Sequence, residues 1–267
     1  MGDFSRSDFL NKILCENAVD VIQRMPQQIV DTIITQPFGS EKLFNFELLD
    51  KTKEVWKSIK QNDILKDSGF LIVIVPNAIV YSNSSLQIQV TKYLNSLGFK
   101  LIANYVWNKK FKPESDDIEK TEDLEDIELE DIEIIDYGDD IKCGIEFILV
   151  FVRKSRQKKW KVFAKDIDLD ERERFAQYAD DRNYVWEIAF KTRKNKSEMA
   201  RTLPDKLVYR LIKLYSNKGD LVMDPFGGYG TVVSVAERYG RNYLYIDDSD
   251  ARMNVAKFYI SMEFKKQ

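Results

Sequence analysis

The stretch D-L-V-M-D-P-F-G-G-Y-G-T, at residues 220–231, is the strongest indicator of the fold. Its apolar residues at 221–223 predict a short strand, and residues 231–239 follow as a predicted helix. Three glycines in four positions join the two, namely Gly227, Gly228 and Gly230. Glycine allows a tight turn and lets a ligand approach main-chain N–H groups closely. The stretch therefore predicts a ligand-binding turn between a strand and a helix.

A second apolar run follows the glycine turn. It occupies residues 243–246 and ends in two acids, Asp247 and Asp248. An acid at a strand end about twenty residues after a glycine turn is the arrangement that holds a ribose by its hydroxyls in doubly wound folds. Glycine-rich turns also occur simply to close tight connections, and this one lacks the G-x-x-x-x-G-K-[ST] pattern of a phosphate-binding loop. The pattern favours a nucleoside-containing cofactor.

The composition narrows the classes of function. The chain has 267 residues, enough for one large α/β domain, here expected to span residues 1–267. It contains no histidine, which excludes Ser-His-Asp catalysis and most catalytic zinc sites. Cys15 and Cys143 lie far apart and form no disulfide or zinc pattern, so no metal is expected. No signal peptide and no apolar run of about eighteen residues is present, which predicts a cytoplasmic protein without a membrane span.

Charge is distributed unevenly along the chain. Residues 114–140 carry 15 Asp and Glu against one Lys, a local charge of −14, which leaves +11 for the rest of the chain. This basic remainder favours a polyanion such as DNA as partner, although a solvated lysine-rich surface would give the same excess. The acidic segment predicts a flexible insertion. Its spaced Ile and Leu residues leave open that it docks on a basic partner or on the protein's own DNA-facing cleft.

Apolar periodicity predicts strands and helices on both sides of the acidic segment. Helical spacing marks residues 17–25, 44–64 and 86–97, and apolar or β-branched runs mark strands at 12–15, 30–35, 70–75, 100–107 and 145–152. Another helix is predicted from Pro204 to about residue 215. Strands separated by helices favour an α/β fold with a doubly wound, mostly parallel, Rossmann-like sheet.

Two basic clusters lie between the acidic segment and the glycine turn. They occupy residues 153–161 and 191–196, close to Trp160 and Trp186 respectively. Cations can contact phosphates while aromatic rings stack on bases, so residues 153–203 are a candidate DNA-facing region, with a solvated loop as the alternative. The candidate DNA-binding side chains are Arg153, Lys154, Arg156, Lys158, Lys159, Lys191, Arg193 and Lys194.

Five segments occur together in one order and carry a family resemblance. They are K-I-L-C-E-N-A at 12–18, E-F-I-L-V-F at 146–151, L-P-D-K-L at 203–207, D-P-F-G-G-Y-G-T at 224–231 and G-R-N-Y-L-Y-I-D at 240–247. With them the chain resembles the circularly permuted beta group of bacterial DNA amino-methyltransferases, in which a D-P-P-Y-type catalytic motif precedes a D-P-F-x-G-x-G-T cofactor motif. The resemblance implies that S-adenosylmethionine is used to methylate the exocyclic nitrogen of adenine or cytosine in DNA.

The resemblance also implies roles for individual residues. The main chain of residues 226–230 would line the methionine part of the cofactor, Asp247 would accept hydrogen bonds from its ribose, and Lys206 lies in a motif that helps to close the methionine pocket. Asn17 occupies the position of a family acid near the adenine amino group, where its amide oxygen is still an acceptor. The implied cofactor-binding residues are Asn17, Asp224, Pro225, Phe226, Gly227, Gly228, Gly230, Thr231, Asp247 and Lys206.

The catalytic motif departs from the family pattern. Gln36, Pro37, Phe38 and Gly39 stand where the family has a D-P-P-Y-type motif. Gln36 keeps a side-chain acceptor for the target amine, one methylene further out than Asn or Asp, and the Pro37 carbonyl is retained. Because the stacking position is Gly39, stacking on a flipped base would fall to Phe38.

Two hypotheses from different classes follow from this departure. In the first, the chain is an active adenine N6 or cytosine N4 methyltransferase with Gln36, Pro37 and Phe38 as catalytic residues. In the second, it is a catalytically silent subunit that recognises DNA or acts as a scaffold for an active methyltransferase. A second subunit or a homodimer is therefore a candidate partner besides DNA. Methylation of RNA or of a protein amide is a third, less favoured interpretation.

Overall fold

The computed structural model describes residues 4–38, 46–80, 84–109, 144–154, 184–188 and 203–263. Within them the strands are β1 (Lys12–Cys15), β2 (Val30–Thr35), β3 (Leu65–Pro76), β4 (Ile79–Val80), β5 (Ser84–Ser85), β6 (Phe99–Asn108), β7 (Ile145–Arg153), β8 (Val185–Glu187), β9 (Leu221–Asp224) and β10 (Asn242–Asp247). The helices are α1 (Ala18–Arg24), α2 (Phe46–Gln61), α3 (Leu86–Ser96), α4 (Asp205–Tyr215), α5 (Thr231–Arg238) and α6 (Asp250–Glu263), preceded by a 3-10 turn at Arg6–Phe9. The predicted α/β class is confirmed.

Eight of these strands form one sheet in the order β1-β10-β9-β2-β3-β7-β6-β8. The pairs from β1 to β3 are all parallel, β7 is antiparallel to both of its neighbours, and β8 is parallel to β6. The mostly parallel sheet is therefore as predicted. β9 and β10 come late in the chain but lie between β1 and β2, so the two ends of the sequence build one side of the sheet together.

Helices cover both faces of the sheet, as a doubly wound fold requires. One apolar core contains side chains of α1, α2 and α3, such as Trp56. The other contains side chains of α4, α5 and α6, such as Leu211. Successive side chains of a strand point to opposite faces, and accordingly Ile33 lies in the first core and Ile34 in the second.

The carboxyl ends of the parallel strands define the edge of the sheet at which α/β folds bind ligands. β2 ends there at Thr35, β9 at Asp224 and β10 at Asp247, and these three strands are neighbours. The antiparallel β7 begins at the same edge, where Glu146 pairs with Pro76 at the end of β3. The site is therefore built around these strand ends.

The residues 114–140 of the predicted acidic insertion lie outside the described part of the chain. Within the described ranges, no helix combines the length and apolar character needed to cross a membrane. Nor do those ranges bring together three or more His, Cys, Asp or Glu side chains that could hold a metal ion.

Candidate cofactor and catalytic site

The glycine turn joins β9 to α5 and is tied to β10 through its main chain. The Gly227 N–H donates to the Ile246 carbonyl at 2.9 Å, and the Gly230 N–H donates to the Gly227 carbonyl at 2.9 Å. Gly228 and Gly230 have φ angles of 53° and 85°, in the left-handed region that favours glycine. Pro225 and Phe226 lead into the turn, and Thr231 begins α5. The tight turn that the glycines predict is present.

Two of these glycines also make room for neighbouring side chains. A Cβ atom on Gly227 would overlap the ring of Tyr245, and a Cβ atom on Gly230 would lie 2.6 Å from the Cβ of Ala256 in α6. The Tyr245 hydroxyl donates to the Gly228 carbonyl at 2.7 Å. Tyr245 is fully buried, so the turn rests on its ring. The sequence gives no sign of this role, because an aromatic residue within a strand usually belongs to the core.

Asp247 ends β10 and faces the glycine turn. Its Oδ2 accepts a hydrogen bond from the Gly228 N–H at 2.9 Å. Its Oδ1 accepts from the Ser249 N–H at 2.9 Å and from Nε of Arg252 at 2.8 Å. A carboxylate offers about four lone-pair sites, so Oδ2 has room for one more donor. A ribose hydroxyl is a group that fits this position, and the residue keeps 7% of its surface exposed.

Asp224 ends β9 immediately before the turn and is buried. Its Oδ1 accepts a hydrogen bond from the Phe226 N–H at 3.1 Å. Burial raises the pKa of Asp224 to about 7, because desolvation penalises the carboxylate more than the hydrogen bond from Phe226 favours it. The negative charge of Asp247 acts in the same direction as burial. Asp224 therefore changes protonation near neutral pH.

The candidate catalytic motif begins where β2 ends. The Nε2 of Gln36 donates to Oε2 of Glu146 at 2.6 Å. Glu146 is 1% exposed, and its Oε1 forms an ion pair with the ammonium group of Lys109. Burial raises the pKa of the Glu146 carboxyl, while Lys109 and Gln36 oppose that shift. The Gln36 side chain is thus anchored to a buried ion pair, a connection between residues 110 positions apart.

Phe38 lies in the core rather than at the crevice. Its side chain is fully buried, and its ring meets Trp56 of α2 edge to face with the centroids 6.2 Å apart. Pro37 is buried as well, and Gly39 lies outside the described residues. Stacking of Phe38 on a flipped base would require its ring to leave this packed position, so that role stays a prediction.

Asn17 lies at the same edge of the sheet as Asp247, whereas Lys206 belongs to α4. Asn17 caps α1, and its Oδ1 accepts a hydrogen bond from the Val19 N–H at 2.8 Å. It follows β1, whose last residue, Cys15, is in register with Asp247. Lys206 is exposed in the first turn of α4.

The candidate DNA-binding residues that the structure describes lie at the far end of β7. The guanidinium of Arg153 pairs with Asp63 and Asp67, and Lys154 donates to the main chain of α3 at 2.9 Å. At about 3.3 Å per residue, the strand places Arg153 ~23 Å from Glu146 and therefore away from the glycine turn. The other six candidates, outside the described residues, are Arg156, Lys158, Lys159, Lys191, Arg193 and Lys194. The DNA-binding role of all eight stays a prediction.

Trp186 is enclosed by the protein's own side chains. It lies in β8, is 5% exposed and stacks on Tyr105 with the ring centroids 4.4 Å apart. The guanidinium of Arg210 lies 5.0 Å from the Trp186 ring centroid. The ring therefore packs within the fold instead of presenting a face on which a base could stack.

Comparisons with known proteins agree with this geometry. A family model described as DNA methylase, of the N6 and N4 methyltransferase type, matches residues 32–258. The type II methyltransferase M.HinfI of Haemophilus influenzae is 24% identical over 281 residues, covering 94% of this chain and 68% of that protein. The type II methyltransferase M.MjaI of Methanocaldococcus jannaschii is 34% identical over 110 residues, covering 38% of this chain and 34% of that protein.

Two solved structures share the fold. TTHA0409 of Thermus thermophilus, complexed with S-adenosyl-L-methionine, superposes with a TM-score of 0.60 at 20% identity, over 92% of this chain and 93% of its own. The PvuII DNA methyltransferase, which is cytosine-N4-specific, has a TM-score of 0.60 at 16% identity, over 96% of this chain and 91% of its own. Because the family model spans most of the sequence, the chain belongs to the N6/N4 family of DNA methylases.

Proposed function

We propose that this chain transfers a methyl group from S-adenosylmethionine to the exocyclic amine of adenine (N6) or cytosine (N4) in DNA. The observation that carries the proposal is the meeting of three features at one edge of the sheet: the glycine turn after β9, Asp247 at the end of β10, and Gln36 and Pro37 after β2. Neighbouring strands lie about 4.8 Å apart, so the outer two of these strand ends are ~10 Å apart. This spacing suits a cofactor and a target base bound side by side.

The residues at this edge fit S-adenosylmethionine, the cofactor of this family. Asp247 has an acceptor position for a ribose hydroxyl, and the partly exposed Phe226 lies in the turn beside it. The complex of TTHA0409 with the same molecule supports the assignment. The cofactor supplies a methyl group on a sulfonium; transfer forms a carbon–nitrogen bond to the base, breaks the carbon–sulfur bond and releases one amine proton to water.

The target amine is held by acceptors that directly follow β2. The amine donates through its N–H groups, so the protein must offer oxygen atoms, and here these are the Pro37 carbonyl and Oε1 of Gln36. Such hydrogen bonds raise the electron density on the nitrogen that attacks the methyl group. An acceptor misplaced by about 1 Å would cost on the order of a hundredfold in rate, so the anchoring of Gln36 matters for turnover.

Methyl transfer by the purified chain tests the proposal. With tritium-labelled S-adenosylmethionine and mixed genomic DNA, we expect labelled N6-methyladenine or N4-methylcytosine after digestion. Gln36→Ala should lower the rate by roughly tenfold or more while leaving cofactor affinity unchanged. Lys100→Ala, an exposed change at the opposite edge, serves as the matched control and should keep the full rate. Cofactor binding by calorimetry without any labelled DNA would overturn the proposal for the isolated chain.

A catalytically silent subunit is the second candidate, and the burial of Phe38 favours it. A ring packed against Trp56 is not presented to a base, and Gly39 supplies no ring where the family motif ends in an aromatic residue. Such a subunit would bind the cofactor, yet label would enter DNA only after an active methyltransferase was added. Light scattering of the chain alone and of the mixture would show whether a second subunit or a homodimer forms.

A further inference from the structure

We infer that Glu146 is a positioning residue, which holds the Gln36 amide so that its carbonyl oxygen faces the target amine. This inference rests on the proposed methyl transfer, because Gln36 is placed at the crevice as an acceptor for that amine. Glu146 itself is only 1% exposed, so its carboxylate offers no surface to a substrate. It acts through Gln36 alone.

The hydrogen-bonding polarity of Glu146 and Gln36 fixes the orientation of the Gln36 amide. A glutamine amide donates at its NH₂ end and accepts at its oxygen, whereas an ionised carboxylate only accepts. Oε2 of Glu146 therefore pairs with Nε2 of Gln36 at 2.6 Å, a short hydrogen bond to a charged acceptor. Among the described residues no hydrogen bond occupies Oε1 of Gln36, which is therefore available to a donor on the other side. Without Glu146 the amide could turn over, and its NH₂ group would then oppose the N–H groups of the base.

Lys109 and the sheet keep Glu146 in this role. The ammonium of Lys109 occupies Oε1 of Glu146, which reserves Oε2 for Gln36. The main chain of Glu146 is held in register between Pro76 of β3 and Trp107 of β6. The carboxylate thus has a fixed place beside the end of β2.

The anchor also compensates for the length of Gln36. A side chain with one more rotatable bond than Asn or Asp loses more conformational entropy when it is fixed, and it is less accurately placed when it is not. A hydrogen bond to a buried, immobile carboxylate removes that freedom before substrate binds. Gln36 can then serve in a motif that begins with the shorter Asn or Asp in other members of the family.

Glu146→Gln tests the inference by reversing the polarity. Lys109 would bind the oxygen of the new amide, whose NH₂ group would then face Gln36 and attract its oxygen inward. We expect the single-turnover rate at saturating cofactor to fall about tenfold or more, with an unchanged Kd for S-adenosylmethionine. In a Gln36→Ala background the same substitution should change the rate by less than about twofold. A wild-type rate in Glu146→Gln, or an equal loss in both backgrounds, would overturn the inference.

Asp63→Asn is the matched control. It breaks the pair between Arg153 and Asp63 at the other end of the same strand, so it removes an ion pair from β7 without touching Gln36. The single-turnover rate should remain that of the unsubstituted chain. An equal loss in Asp63→Asn would mean that Glu146 matters only for the stability of β7.

A second measurement requires neither methyl transfer nor a folded variant of Glu146. In the chain labelled with ¹⁵N-glutamine, the side-chain signal of Gln36 is assigned by its loss in Gln36→Ala. Its amide hydrogens should exchange with water about tenfold more slowly than those of the exposed Gln23. Protection without any methyl transfer would leave the positioning intact and overturn only the proposed function. Unprotected amide hydrogens would overturn the positioning itself.

Discussion

Three aspartates at or next to the strand ends, Asp224, Asp247 and Asp248, have different roles because their surroundings differ. Asp224 is buried with one main-chain donor, whereas Asp247 accepts hydrogen bonds from two main-chain N–H groups and from Arg252. Asp248, the next residue, is exposed and pairs only with Arg252 among the described contacts. We therefore propose Asp247 as the acid that binds ligand, and we expect the protonation of Asp224 to affect stability.

Asp224 should make the stability of the fold depend on pH. Its pKa is about 7 in the folded protein against 3.8 for an ordinary Asp, so the folded state binds the proton more tightly than the unfolded state. The free energy of unfolding should therefore fall as the pH rises from about 4 to about 7, by up to ~1.4 kcal/mol per pH unit. Asp224→Asn removes this titration, and urea unfolding at about pH 5 and pH 8 should show a smaller difference than in the unsubstituted chain.

Asp248→Asn is the control for this pH dependence. Asp248 neighbours Asp247 at the same edge but is exposed, so its removal should preserve the pH dependence of the unsubstituted chain. If Asp224→Asn and the unsubstituted chain lost equal stability between the two pH values, burial of Asp224 would not be the cause.

At the scale of elements, the junction of the glycine turn with α5 should tolerate no side chain. Gly230 and Gly219 have similar φ angles, 85° and 82°, but a Cβ on Gly230 meets Ala256 at 2.6 Å while a Cβ on Gly219 meets nothing within 4 Å. Gly219→Ala should cost only the left-handed strain, ~1–2 kcal/mol. Gly230→Ala should cost a further ~1–3 kcal/mol from overpacking, as measured by urea unfolding.

A compensating change tests the cause of that difference. Ala256→Gly in the Gly230→Ala background removes the overlapping methyl group but keeps the Cα of Ala256, which lies 2.9 Å from the new Cβ, so it should recover only part of the lost stability. Equal losses of stability in Gly230→Ala and Gly219→Ala would show that α6 shifts to make room and that the contact with Ala256 costs no stability.

The support of the turn by β10 should be measurable as cofactor affinity. Tyr245→Phe keeps the ring under Gly227 but deletes the hydroxyl that donates to Gly228, a hydrogen bond worth ~0.5–1.5 kcal/mol. The Kd for S-adenosylmethionine by calorimetry should rise about two- to tenfold. Tyr243→Phe, also buried on the same face of the strand, should leave the Kd unchanged. An equal rise for Tyr243→Phe would assign the effect to general loosening of β10.

At the scale of the whole molecule, the acidic segment is joined to the sheet beside the candidate catalytic motif. β6 ends at Asn108 and β7 begins at Ile145, and the Lys109 N–H donates to the Gly144 carbonyl at 2.7 Å. Both attachment points are thus close to the pair of Lys109 with Glu146. Negative charge attached at this place would oppose phosphate binding.

Neutralising the acidic segment should therefore strengthen nonspecific DNA binding. Replacing the 15 Asp and Glu of residues 114–140 by Asn and Gln changes the local charge from −14 to +1, and we expect a lower Kd with a steeper dependence on salt. A segment of the same composition in scrambled order keeps the charge and should bind like the natural chain. Unchanged affinity and slope after neutralisation would exclude a masking role.

Local spacing predicts the cofactor half of the site, whereas the catalytic half depends on strand order. The glycines and Asp247 lie within one strand-turn-helix-strand unit, so about twenty residues of sequence contain the signal. Gln36 and Glu146 are 110 positions apart, and they meet only because β3 and β7 extend the sheet beyond β2. The sequence also does not show the direction of β7, along which Arg153 lies away from the crevice. The acidic residues separate β7 in sequence from its antiparallel partner β6, so no short hairpin indicates how the two strands pair. β8 is too short, at three residues, to produce an apolar pattern.

The hydrogen bond between Lys109 and Gly144 also makes the chain suitable for engineering. It closes the β6–β7 connection at its base, so the sheet is complete on both sides of the junction. A fluorescent protein spliced in at this junction would be fixed by two neighbouring strands at the rim of the crevice. If DNA docks at this crevice as we propose, emission of the inserted protein should change when a duplex binds, which would make the chain an optical sensor for DNA.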